Sequence, residues 1–131
     1  MSGFSDYLEA KVLNHVFGGT AYTAPSTLYV GLYTAAPSDT GGGTEVTGGS
    51  YARKSMAAMT VSGTSPTNST NGAAVEFVTA TGSWGDVGWV GVFDAATSGN
   101  LLGWAALTAS KTVASGDVFR FDSSDLTITL A

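Results

Sequence analysis

The stretch Trp84–Trp104, W-G-D-V-G-W-V-G-V-F-D-A-A-T-S-G-N-L-L-G-W, constrains the fold more than any other part of the chain. Two apolar runs, Val87–Phe93 and Leu101–Leu107, flank the turn-forming residues Asp94–Asn100. That pattern predicts a β-hairpin. Within it Trp89, Gly91 and Phe93 share one strand parity, and Val90 and Val92 the other. Both faces are then apolar, so the first strand belongs in the middle of a sheet, covered on both sides. Trp89 reads as core. Trp84, beside Gly82, Gly85 and Asp86, reads as a strand-edge residue open to a partner.

Only one segment carries a helical period. In residues 4–17, Phe4, Leu8, Val12 and Val16 recur every four positions, widened by Tyr7, Leu13 and Phe17. Ser2 or Ser5 can cap the start, Asp6 and Glu9 suit the positive end of the helix dipole, and Gly18-Gly19 stops it. So short a helix needs its apolar face docked. From residue 27 the period is two. Strands are expected over Thr27–Tyr33, Tyr51–Val61 (Met56 and Met59 on opposite faces), Ala74–Thr79, the hairpin, Lys111–Ala114, Val118–Asp122 and Leu126–Leu130. Residues 35–50 and 63–72, rich in Gly, Thr and Ser, read as flexible loops. The expectation is a mainly β, single-domain fold over residues 1–131: a β-sandwich or barrel of about seven or eight short antiparallel strands spanning about 27–131, with one N-terminal helix.

Chemistry is scarce. There is no cysteine, so no disulfide, thiolate metal site or thiol nucleophile is available. Five scattered bases against ten acids give a net charge of −5, without the basic footprint that nucleic-acid binding requires. No apolar run approaches a membrane span, and the N-terminus lacks the basic start of a signal peptide. His15, the single histidine, sits late on the helix, where interaction with the dipole explains it better than catalysis. Asp86, Asp94, Glu76 and Asp122 offer carboxylate pairs for glycoside hydrolysis, but strand-end and turn roles fit them as well. Asp94 and Asp117 read as turn residues bonding their own backbone.

Asp122-Ser123-Ser124-Asp125 lacks the glycine and glutamate of a calcium loop. Gly41-Gly42-Gly43 lacks the Lys-Ser/Thr of a phosphate loop. Asn68-Ser69-Thr70 matches the glycosylation pattern in a threonine-rich loop, where such triplets arise by chance. No catalytic, cofactor or metal residue is expected, and no enzymatic activity. Among the aromatics, Tyr29, Tyr33 and Trp84 are the candidates for contact with a partner, by subunit packing or by stacking on sugar rings.

Two blocks resemble a known family. They are F-S-D-Y-L-E-A-K-V-L-N-H-V-F-G-G-T-A-Y-T-A-P-S-T-L-Y-V-G-L-Y-T-A-A-P and T-A-T-G-S-W-G-D-V-G-W-V-G-V-F-D-A-A-T-S-G-N-L-L-G-W-A-A-L. The resemblance, from Phe4 to Leu130, is to small tailed-bacteriophage virion proteins labelled tail-fibre proteins. The helix, L-Y-V-G-L-Y and the hairpin are also similar in layout to phage head-decoration (cement) proteins. The resemblance brings no catalytic residue with it. It implies a structural virion protein made in the host bacterial cytoplasm. Because a fibre shaft needs a repeat or coiled coil and the chain has neither, the first expectation is a homotrimeric decoration protein on the capsid surface, bound to the major capsid protein. The alternative is a tail-fibre or baseplate-associated receptor-binding or adaptor module, contacting tail or baseplate proteins and host glycans.

Overall fold

The computed structural model describes residues 3–64 and 66–130, with only the backbone of Leu130. In chain order come β1 (Gly3–Phe4), α1 (Asp6–Val16), β2 (Leu28–Ala35), β3 (Thr44–Glu45), β4 (Lys54–Met56) and β5 (Thr60–Ser62). Then follow β6 (Thr67–Thr70), β7 (Val75–Glu76), β8 (Gly85–Phe93), β9 (Leu101–Val113), β10 (Arg120–Phe121) and β11 (Thr127–Leu130). The fold is mainly β, sandwich-like, with antiparallel pairing throughout.

The hairpin forms as the sequence requires. β8 pairs with β9 on one side and β2 on the other, placing it at the centre of a six-stranded sheet ordered β1-β9-β8-β2-β3, with β4 also on β2. Asp94 closes the turn: its carboxylate accepts from the Asn100 backbone N–H at 2.7 Å and from Asn100 Nδ2 at 2.9 Å. One irregularity interrupts the ladder. Val87 pairs with Lys111 and Trp89 with Ala106, so Leu107–Ser110 stand opposite the single residue Gly88. Across this irregularity Val87 and Val90, three residues apart on β8, both face the core.

Alternation in β2 sends Val30 and Leu32 inward, beside Val90 and Val92 of β8. Against this face lie Val75, Phe77, Phe119, Phe121 and Leu126, from β7, β10 and the segments next to them. Burying each such side chain contributes about 1.5–3 kcal/mol. The aromatic rings of Tyr51, Phe77, Trp84, Phe119 and Phe121 form a chain of edge-to-face and stacked contacts through this core.

Several expectations need correction. The helix starts at Asp6, capped by Ser5, whose Oγ accepts from Leu8 N and donates to the Leu101 carbonyl. Its apolar face docks only in part: Tyr7, Leu8 and Val12 are half-buried and α1 packs on β9 and β1, but no residue of α1 is buried and Leu13, Val16 and Phe17 are exposed, Phe17 by 82%. Its start is the best-held part, since the buried Ser5 also donates its backbone N–H to Leu102 O and Asp6 donates its own to Asp39 O.

The loop of residues 35–50 is pinned rather than loose. β3 pairs with β2, Val46 is buried, and the Gly49 carbonyl accepts from Thr81 N and Trp84 Nε1. Residues 63–72 contain β6, the middle strand of a β11-β6-β5 sheet. The strand expected over Tyr51–Val61 is split in two, so Met56 and Met59 both pack on the same core. These short pieces raise the count above the expected seven or eight strands.

Candidate functional site

Behind β2 and β8, on the face away from the main core, glycine makes room for a second layer. Gly31 and Gly91 are direct cross-strand partners. A Cβ on Gly31 would come within 2.8 Å of Glu45 Oε2 and 2.9 Å of Phe93 Cε1, and one on Gly91 within 2.9 Å of Leu101 Cδ1. Into that space fit Tyr33 and Phe93, stacked with ring centroids 6.2 Å apart. Glycine inside a strand marks such a close approach.

Arg53 closes the layer. Its guanidinium lies 3.5 Å from the Phe93 ring centroid. Nε and the second terminal nitrogen both donate to the Glu45 carboxylate at 2.9 Å, a bidentate pair. The remaining nitrogen donates to the carbonyls of Ala95 and Ser98, at 3.0 and 2.7 Å, and so anchors the hairpin turn. Burial opposes the charge on Arg53, but its hydrogen bonds to Glu45 outweigh that and its pKa is raised. Tyr51 completes the network: its hydroxyl donates to Glu45 Oε2 at 2.7 Å and accepts from Leu32 N at 2.9 Å. Burial raises the Tyr51 pKa well above the ordinary phenol value.

Above this layer opens a cleft of about 570 Å³ between the hairpin turn, the turn at residues 38–42 and the start of α1. Tyr33 and Phe93 contribute to its floor, and Asp6, Tyr7, Asp39 and Asn100 to its walls. Asp39 is held in place, since its Oδ1 accepts from Trp104 Nε1 at 3.0 Å and its carbonyl accepts from Asp6 N. A second groove, of about 550 Å³, runs between β9 and the β10–β11 region. There Ala105, Ala106 and Leu107 contribute apolar surface, and Arg120 is engaged by Asp122 and Glu76.

The three sequence-predicted contact residues are not brought together as an exposed patch. Trp84 is 4% exposed, packed edge-on to Tyr51 with its indole N–H bonded to Gly49 O, which corrects the strand-edge reading. Trp89, expected in the core, is half-buried opposite Tyr33. Tyr33 is 5% exposed, so its ring face is unavailable for stacking on a sugar, although its edge reaches the cleft. Tyr29 is half-buried at the far end of β2.

The other candidates find structural roles. His15 Nδ1 accepts from Tyr22 N at 3.0 Å, holding the segment after the helix. Asp117 accepts from Ala114 N across its turn, and Asp125 from Asp122 N. No group of three or more His, Asp or Glu suited to a metal occurs among the described residues.

Sequence reasoning missed the Arg53–Glu45–Tyr51 network, whose members are spread over nine positions without a period. The available signal was the pair of glycines inside otherwise bulky strands. It also missed Asn71, fully buried, whose side chain donates to Ala73 O and Asp122 O and accepts from Leu126 N.

A family model described as Podophage GP4 fiber I protein gp80 matches residues 3–129. No curated protein matches the chain. The family accords with the resemblance in the two sequence blocks. Phage fibre families are in general structural rather than enzymatic, and they are virion components. The chain belongs to the Podophage GP4 fiber I protein gp80 family and is a bacteriophage virion structural protein of the tail-fibre kind.

Proposed function

We propose that the chain serves as a tail-fibre or baseplate-associated module that contacts host-surface glycans, or links such a receptor-binding part to the tail, without catalysing a reaction. The observation that carries this reading is the fibre-family match across residues 3–129. It favours the tail over the capsid-decoration alternative, in which a homotrimer would clip the major capsid protein. The fold adds a restriction on which part of a fibre this is. An 11-residue helix and strands of at most 13 residues, with no repeating unit, build a tip or adaptor rather than a shaft.

Particles lacking the protein test the reading. They should lose adsorption to host cells while keeping their resistance to heat and osmotic shock. Normal adsorption combined with fragile heads would instead support the decoration role.

A further inference from the structure

The cleft above Tyr33 has a chemistry of its own. Tyr33 is 5% exposed, yet its hydroxyl has no hydrogen-bond partner among the described residues. No fully buried side-chain polar atom among the described residues lacks a partner, so this hydroxyl keeps accessible surface, and the cleft is the space that Tyr33 lines. A nearly buried ring held by stacking on Phe93 presents a single donor and acceptor in a fixed position.

Around it stand acceptors and amphipathic surface. Asp6 and Asp39 supply carboxylates, Asn100 an amide, and Tyr7 a half-buried ring. Arg53, the one cation lining the cleft among the described residues, has its nitrogens engaged by Glu45 and the hairpin carbonyls. No lysine or histidine lines the cleft among the described residues. An anionic ligand would meet two carboxylates with no unpaired cation to offset them.

We propose that this cleft is a binding site for an uncharged saccharide. Sugar hydroxyls both donate and accept, so carboxylates, an amide and a phenol can each pair with them. The volume falls within the range of small-ligand sites. The carboxylates discriminate against sialylated or phosphorylated sugars. This assignment rests on the receptor-contact reading above, and names the site and the ligand class that would serve it.

The test uses the full chain on an array of neutral oligosaccharides ending in glucose, galactose, mannose or N-acetylhexosamine, alongside sialylated and phosphorylated counterparts. Binding is expected to neutral members only. Tyr33→Phe, which keeps the ring and its stacking, should weaken it about fivefold to tenfold, the loss of one hydrogen bond. Thr40→Trp, at the exposed rim, should abolish it by filling the cleft.

Neutral-sugar binding unchanged by both variants overturns the site, and so does preference for the anionic glycans. The soluble chain is also used to compete with phage for host cells. If it blocks adsorption but binds no array saccharide, the cleft assignment fails and receptor contact stands. If it does neither, both fail.

Discussion

The Arg53 guanidinium lies over the Phe93 ring, 3.5 Å from its centroid, while its nitrogens tie Glu45 to the carbonyls of the hairpin turn. One side chain thus joins β3 to the tip of the central hairpin. Removing it strands the Glu45 carboxylate. Arg53→Met should destabilise the chain by about 2 kcal/mol in urea unfolding, below the ~3–5 kcal/mol of a fully buried pair because the Glu45 side chain is 24% exposed. Arg53→Lys should recover little, since an ammonium cannot span the carboxylate and two carbonyls together. The double variant Arg53→Met/Glu45→Gln should be more stable than Arg53→Met alone.

The glycine pair beneath this layer gives a steric prediction. Gly31→Ala and Gly91→Ala should each cost about 1–3 kcal/mol, because the added methyl meets well-packed neighbours. Gly88→Ala is the control. Its Cβ would find only Ser110 Cβ at 3.9 Å, an ordinary contact, so its unfolding midpoint should barely move.

Asn71 tests polar satisfaction inside the fold. Asn71→Leu keeps similar bulk but leaves the Ala73 and Asp122 carbonyls and the Leu126 N–H without their partner. The expected loss is about 3 kcal/mol, with the C-terminal strand pairing weakened first in hydrogen exchange.

Alkaline pH should unfold the chain through its tyrosines. Burial first, and then the Glu45 charge, push the Tyr33 hydroxyl up to about 12. Burial raises Tyr51 as well. Above the unfolded phenol pKa of about 10, the unfolded state binds fewer protons than the folded one, so stability falls as pH rises. The Tyr33 contribution is complete below about pH 10 and is lost between about pH 10 and 12. Urea midpoints followed up that range should fall, and Tyr33→Phe should flatten part of the slope.

What could be read from the sequence follows from what repeats along it. Strict alternation exposed β2, and a polar turn between two apolar runs exposed β8 and its pairing with β9, because these signals are local. The Gly and Asp neighbours of Trp84 do not record that its ring packs on Tyr51, and the parity of Trp89 does not record that its face is only partly covered. The helix period was legible, but whether its face would dock was not, since docking depends on where β9 runs. The cleft was the least visible. Tyr33, Asp39, Asn100 and Asp6 meet only after the hairpin turn and two separate chain segments converge, and no spacing in the sequence records that.

Imaging intact virions with an antibody or fusion label on this chain tests the central claim, a tail-associated fibre-family module, most directly. Density confined to the tail is the predicted result. Density distributed over the capsid surface would contradict it.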